Sequence, residues 1–328
     1  MPDSSTAPAA TVSVVIAARD AAATLAAAAR SALACGAVTQ CVIVDDASGD
    51  GTLAAGRALA AADERVEVIA RPERGGPALA RNEGLGAVRG ARVCFLDADD
   101  ELIEGGLEAL GAAMDANPDA VGALGRFRAV DRDAAAVDVG PWAADQLHGV
   151  VRRHGRLVES PEGLSAEALV TRLVSPPPGA WLLDTACLRA LGGFDARTRR
   201  SEDLELLVRL ASAGTLVAVE RDVLRYLRHG TQRSAAVTRR QWGRGAALWR
   251  MVRNAPDVPS ARRVARGAWA YHLALFESRW ASPHARVRLL GLRNLAAAGL
   301  TRVAGSLGAV LPHRGLPAQP APAPRAVD

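Results

Sequence analysis

Four short apolar runs, spaced by stretches of helical character, constrain this chain more than any other feature. They are Val12–Ala17, Gln40–Asp46, Val66–Ala70 and Val93–Leu96. Each is near-continuously apolar rather than alternating, the pattern of a strand covered on both faces. Residues 21–34, 52–62 and 78–88 read as the intervening helices, and Glu104–Ala116 as a further helix closed by Asn117-Pro118. Strands alternating with helices predict βαβ units around a mostly parallel sheet. Such sheets bind ligands beyond the carboxyl ends of their strands. Asp45, Asp46, Asp97 and Asp99 fall at those ends.

The run Val93-Cys-Phe-Leu-Asp-Ala-Asp-Asp100 is the most pointed of these. If the strand persists to its end, alternation places Asp97 and Asp99 on one side. Two carboxylates on one side of a strand mouth suit a hard divalent cation that holds a substrate phosphate. An acidic turn in solvent is the plainer reading of an isolated Asp-x-Asp. Asp100 reads as a cap for the helix that follows.

The chain has 328 residues, 49% hydrophobic and 23% charged, which is enough for a large α/β domain with an appendage. Aromatics are only 4%, so the core leans on Ala, Val and Leu. All 40 basic residues are Arg. The net charge of +5 conceals an asymmetry: residues 1–235 sum to −7 and residues 236–328 to +12. Cys35, Cys41, Cys94 and Cys187 lack metal-type spacing and read as free thiols in a reducing, cytoplasmic setting. The first residues lack a basic stretch followed by an apolar core, so no signal peptide is expected. No uncharged apolar run reaches the roughly 18 residues of a membrane span.

Beyond residue 120 the pattern loosens. Val121–Val130 reads as one or two strands, 131–160 as loop, and Ser175-Pro-Pro-Pro-Gly179 as a stiff break. Residues 202–213 form an amphipathic helix that opens with Glu202 and Asp203. Acids are favoured in a first helical turn by its exposed amides, which is a sufficient structural reason for both. Leu216–Glu220 and Val223–Leu227 read as strands. Residues 236–311 interleave Arg with Trp242, Trp249, Trp269, Tyr271, Phe276 and Trp280, as helices with one basic and one apolar face. Residues 1–10 and 312–328 read as disordered tails.

Taken in order, Val12-Ser-Val-Val-Ile16, Val44-Asp-Asp-Ala-Ser48, Gly76-Pro-Ala-Leu-Ala-Arg-Asn-Glu-Gly-Leu85, Leu96-Asp-Ala-Asp-Asp100, Gly192-Gly-Phe-Asp195 and Ser201-Glu-Asp203 resemble a family 2 glycosyltransferase with a GT-A fold. The resemblance covers residues 11–235. It implies a Rossmann-like, mostly parallel sheet flanked by helices, with residues 236–311 as a basic helical extension. It also implies roles. Asp46 would accept from the base of a nucleoside-diphosphate-sugar donor, Asp45 would shape that pocket, and Arg81 would lie over the base or phosphates. Asp99 would bind Mn²⁺ or Mg²⁺ directly, with Asp97 towards ribose or a metal-bound water. Asp203 would be the general base of an inverting transfer, and Glu202 would orient the acceptor. His229, in Leu227-Arg-His-Gly-Thr-Gln-Arg-Ser234, would approach the metal and diphosphate.

The chain also departs from the pattern. The usual Pro-x-Tyr-Asn after the first strand is Ala17-Ala-Arg-Asp20, which leaves the guanidinium of Arg19 as the planar group available to cover a base. Ala196 replaces the usual acid after Phe194-Asp195, and Leu204 and Leu207 occupy usual Trp positions. Arg239-Arg-Gln-Trp242 is a distant echo of a motif of processive synthases. Transfer of a single sugar to a saccharide, lipid-linked glycan or small-molecule hydroxyl is therefore expected, in cell-envelope glycan synthesis. The alternative is a catalytically silent nucleotide-sugar or glycan-binding protein of the same fold. A nucleotidyltransferase would want an early Gly-rich basic loop, which residues 17–30 lack. The basic extension suits packing or docking at the inner face of an anionic membrane, and nothing in residues 1–235 supports nucleic-acid binding.

Overall fold

The computed structural model describes residues 10–130, 176–198 and 201–227, with Met251, Val264 and Ala265. His229, the loop read over 131–160, both tails and most of the basic extension lie outside these residues.

Strands β1 (Val12–Ala18), β2 (Val38–Asp45), β3 (Val66–Ala70) and β4 (Arg92–Asp97) alternate with helices α1 (Leu25–Leu33), α2 (Thr52–Ala62) and α3 (Pro77–Ala87). The short β5 (Glu101–Leu102), α4 (Gly106–Asp115) and the long β6 (Ala120–Val130) follow. After a 3₁₀ turn at Pro178–Ala180 come β7 (Trp181–Asp184), α5 (Thr185–Ala190), α6 (Glu202–Ala213) and β8 (Thr215–Leu227). The eight strands form one sheet in the order β3-β2-β1-β4-β7-β6-β8-β5. Strands β1 to β4 are mutually parallel where they pair, as the βαβ alternation predicts. β7 runs antiparallel to both β4 and β6, and β8 lies parallel to β6.

Helices cover both faces of the parallel strands, so β1 and β4 are buried almost end to end, from Val12 to Ile16 and from Val93 to Leu96. With few aromatics to fill space, small residues let the layers close. Ala28, Ala29 and Ala32 of α1 are buried, and Gly84 brings α3 so near β1 that a Cβ there would stand 2.4 Å from Val15 Cγ1. Met251, Val264 and Ala265 are helical and buried in the same apolar core. Cys41 in β2 and Cys94 in β4 are buried free thiols. Burial pushes Cys41 up to about 12 and holds Cys94 well above its ordinary value. Among the described residues, no helix is long and apolar enough to cross a membrane.

Three readings change. Residues 215–227 form one strand rather than two, because Asp222 reaches back to Arg126 and Arg128 of β6 and carries the pairing through an irregular register. The first turn read at residues 21–24 is not helical, since the Ala21 and Ala22 amides donate to Thr52 Oγ1 and Asp50 Oδ2 across the loop. Asp100 caps no helix. α4 begins at Gly106, and the buried Asp100 instead accepts the Leu227 amide at 3.0 Å, which fastens the end of β8.

Candidate active site

Parallel pairing puts the carboxyl ends of β2, β1 and β4 side by side. Ala18 is in register with Asp45 on one flank, and Ala17 with Asp97 on the other. Asp45 and Asp97 therefore stand two strand spacings apart, about 10 Å, across the end of β1.

On the β2 side the backbone is knitted tightly. Asp20 and Ala47 both adopt positive φ, 49° and 55°, a costly conformation for residues other than glycine. Around them the Asp20 amide donates to Ser48 Oγ at 3.0 Å, and the Gly49 amide to Asp20 Oδ1 at 2.8 Å. Arg19 Nη1 donates to the carbonyls of Asp46 and Ala47 at 2.7 and 2.8 Å, which locks this guanidinium over the ends of both strands. Asp45 is buried; its Oδ2 accepts the Ser48 amide at 3.3 Å, while Oδ1 finds no partner among the described residues. Asp46 accepts the Gly75 amide and Arg71 Nη1 on Oδ1 and the Gly76 amide on Oδ2, each at 2.8 Å. A carboxylate offers about four acceptor positions, and the described residues fill three of those of Asp46, which thereby anchors the Gly/Pro loop. Neither acid caps α2, whose Thr52 amide goes to Asp50 Oδ1 at 2.9 Å.

On the β4 side the strand ends at Asp97 and turns, with the Asp100 amide donating to the Asp97 carbonyl at 3.0 Å, so the turn and not strand alternation sets the exposure of Asp99. Asp97 and Asp99 are half-buried, while Ala98 and Asp100 are buried. Asp97 Oδ1 accepts Arg81 Nη2 at 2.6 Å. Arg81, from α3, is itself 4% exposed, and its Nη1 lies 3.5 Å from Glu202 Oε1 at the start of α6. Burial opposes its charge, but Asp97, Glu202 and Asp203 outweigh burial and raise the guanidinium pKa. Glu202 is pushed above the ordinary carboxylate range by burial and then by Asp203, against the pull of Arg81. Burial, and next Asp97 and Asp99, raise Asp100 further.

α6 opens at Ser201, which is left-handed at φ 59° and makes no side-chain cap. Asp203 Oδ1 accepts the Leu204 amide at 2.8 Å. Beneath this turn, Asn82 and Phe194 exchange two bonds of 2.8 Å, from Asn82 Nδ2 to the Phe194 carbonyl and from the Phe194 amide to Asn82 Oδ1. Arg209, buried and paired with Glu205, donates to the carbonyls of Leu191 and Gly193 at 2.8 and 2.7 Å. Gly193 has φ 67°, and a Cβ there would meet Asn82 Oδ1 at 2.4 Å, so this turn needs glycine.

The structure thus gathers seven of the eight residues expected at the site, Asp45, Asp46, Arg81, Asp97, Asp99, Glu202 and Asp203, along one edge of the sheet. Arg71, Asn82, Phe194 and Arg209 hold that arrangement and were not singled out from sequence; Asn82 and Phe194 stand inside quoted motifs, and Arg71 sits directly before Pro72. Among the described residues, no group of three or more His, Cys, Asp or Glu side chains converges as a ready-made metal cage. A two-carboxylate set still fits Mg²⁺ or Mn²⁺, which keep waters and take substrate phosphate oxygens as further ligands.

Residues 13–139 match glycosyl transferase family 2. A pre-mycofactocin glycosyltransferase of Mycobacterium tuberculosis is 30% identical over 208 residues, 62% of this chain and 40% of that protein. The succinoglycan biosynthesis protein ExoO of Rhizobium meliloti is 45% identical over 92 residues, 28% of this chain and 26% of ExoO. The chain therefore spans well under half the length of these relatives. Crystal structures of residues 1–349 of S. aureus TarS in complex with UDP and with UDP-GlcNAc share the fold, with TM-scores of 0.58 and 0.59. They are 14% and 13% identical, and the match covers 91% of this chain and 92% of theirs.

Proposed function

Residues 13–139 are a glycosyl transferase family 2 region within a GT-A fold, and from that premise we propose that this chain is an inverting transferase of a single sugar. The donor is a nucleoside-diphosphate sugar, and uridine diphosphate is the first nucleotide to try because the TarS structures hold it. The acceptor is a hydroxyl of a saccharide, lipid-linked glycan or small molecule, and cell-envelope glycan synthesis is the setting that the relatives' names suggest. The observation that carries this reading is the joint placement of two sets of carboxylates. Asp97 and Asp99 stand at the end of β4, Glu202 and Asp203 open α6, and Arg81 pairs with one member of each set.

In this mechanism Asp203 takes the proton of the acceptor hydroxyl as its oxygen attacks the anomeric carbon. The bond from that carbon to the diphosphate oxygen breaks on the opposite face, so configuration inverts and the nucleoside diphosphate leaves. Base strength matters little, because the hydroxyl acidifies only as the new bond forms. Asp45 and Asp46 shape the base pocket, with Asp45 Oδ1 and the last acceptor position of Asp46, both unfilled among the described residues, offered to donors on the base. Asp97 and Asp99 would hold Mn²⁺ or Mg²⁺, whose positive charge would offset the charge growing on the diphosphate. His229 would join them from beyond β8. Docking of residues 236–311 on an anionic membrane completes the proposal, and co-sedimentation with anionic but not neutral liposomes tests it.

The test of activity is a screen of nucleotide sugars with Mn²⁺, comparing wild type with Asp203→Asn and Asp99→Asn. Both variants should lose turnover, and Asp99→Asn should also lose metal-dependent nucleotide binding. A wild type that binds donor tightly and never turns over would favour the silent binding protein instead.

A further inference from the structure

Arg81 reaches both halves of the site from a buried position. Its side chain is 5% exposed, and Nη2 and Nη1 lie 2.6 Å from Asp97 Oδ1 and 3.5 Å from Glu202 Oε1. The guanidinium carbon sits 5.2 Å from the centroid of the Phe194 ring. That ring is held edge-to-face against Phe95 of β4, centroids 5.0 Å apart at 89°. Its backbone is clamped by Asn82, the residue next to Arg81, and Arg209 pins the preceding Gly193. The turn Gly192–Asp195 is thus a wedge between α3 and α6, and it steadies Arg81, whose guanidinium meets Asp97 of β4 and Glu202 of α6.

We propose that Arg81 is a positioning residue that ties Asp97 to Glu202, holding the first turn of α6 and its Asp203 at a set distance from the leaving-group carboxylates without touching the donor nucleotide. This rests on the transferase reading for its consequence, though not for its geometry. A planar fork serves two carboxylates at once, whereas an ammonium is a single point charge. Lysine at this position therefore keeps one pair and loses the other. A misplacement of about 1 Å between reacting groups lowers rate on the order of a hundredfold, and that is the loss expected in kcat for Arg81→Met.

The test uses the full chain and four variants, Arg81→Met, Arg81→Lys, Glu202→Gln and the double variant Arg81→Met with Glu202→Gln, with turnover, UDP binding in the presence of Mn²⁺ and backbone hydrogen exchange as readouts. kcat should fall for Arg81→Met, recover in part for Arg81→Lys, and fall little further when Glu202→Gln is added to Arg81→Met. Donor KM and UDP affinity should stay within about threefold, because the lost interaction serves the transition state and not ground-state binding. Amides of residues 201–205 should exchange faster in Arg81→Met, while those of β2 stay protected. An Arg81→Met chain that weakens UDP binding with kcat intact would overturn the proposal in favour of direct nucleotide contact. Unchanged exchange at residues 201–205 in Arg81→Lys and Glu202→Gln would overturn it even if Arg81→Met fails to fold. If wild type turns over no nucleotide sugar, the transferase reading fails, and the exchange result alone decides whether the bridge orders α6.

Discussion

The two sides of the site are held by different means. On the side of β2 and the Gly/Pro loop, carboxylates are bound mostly by backbone amides: Asp45 by Ser48, and Asp46 by Gly75 and Gly76 together with the Arg71 side chain. On the side of α6, position depends on side chains that reach across more than a hundred residues, Asn82 to the Phe194 backbone and Arg81 to Glu202. The first side is a cradle fixed by the backbone amides of the turn and of the Gly/Pro loop. The second is a helix start set by a few ion pairs and one glycine turn. Binding should therefore follow the first side and rate the second.

Asp203→Asn should break that division most visibly, with kcat down roughly a thousandfold and donor KM near wild type in steady-state kinetics. Asp99→Asn should do the reverse in the binding assay, weakening Mn²⁺-dependent UDP affinity on the order of a hundredfold in calorimetry. Asp46→Ala leaves the Gly75 and Gly76 amides without their acceptor and Arg71 with Glu83 alone; about 2 kcal/mol of stability should go in urea denaturation, with loss of nucleotide binding. Gly193→Ala combines positive φ with a clash against Asn82, and should cost about 2 kcal/mol and lower kcat more than UDP affinity. The smallest change is chemical: at pH 8 the native Cys41 thiolate should be roughly a thousandfold scarcer than an ordinary one. Its pKa is held up to about 12, so alkylation should wait for unfolding.

The same contrast explains what the sequence disclosed. β3 and α2 lie where their residue types place them, Val66–Ala70 and Thr52–Ala62, and α6 spans Glu202–Ala213 as its amphipathic pattern indicates. Buried parallel strands and a helix with one apolar face are local signals. Arg221-Asp222 looked like a break in β8, because nothing nearby shows that Asp222 is matched by Arg126 and Arg128 of another strand. Asp100 looked like a cap because its neighbour in sequence is a helix, whereas its actual partner is the Leu227 amide, 127 positions away. Arg81 was legible as a site residue from its motif, but its two carboxylate partners were not. Composition hinted at close packing, yet only the approach of α3 to Val15 shows why position 84 is glycine.

The most direct measurement is sugar transfer by wild type and Asp203→Asn, run beside UDP binding under the same Mn²⁺ conditions. The expected result is transfer by wild type, none above background by Asp203→Asn, and equal UDP affinity in both. Transfer by Asp203→Asn at the wild-type rate would contradict the assignment of the base, and UDP binding with no transfer by wild type to any acceptor pool would contradict the enzyme.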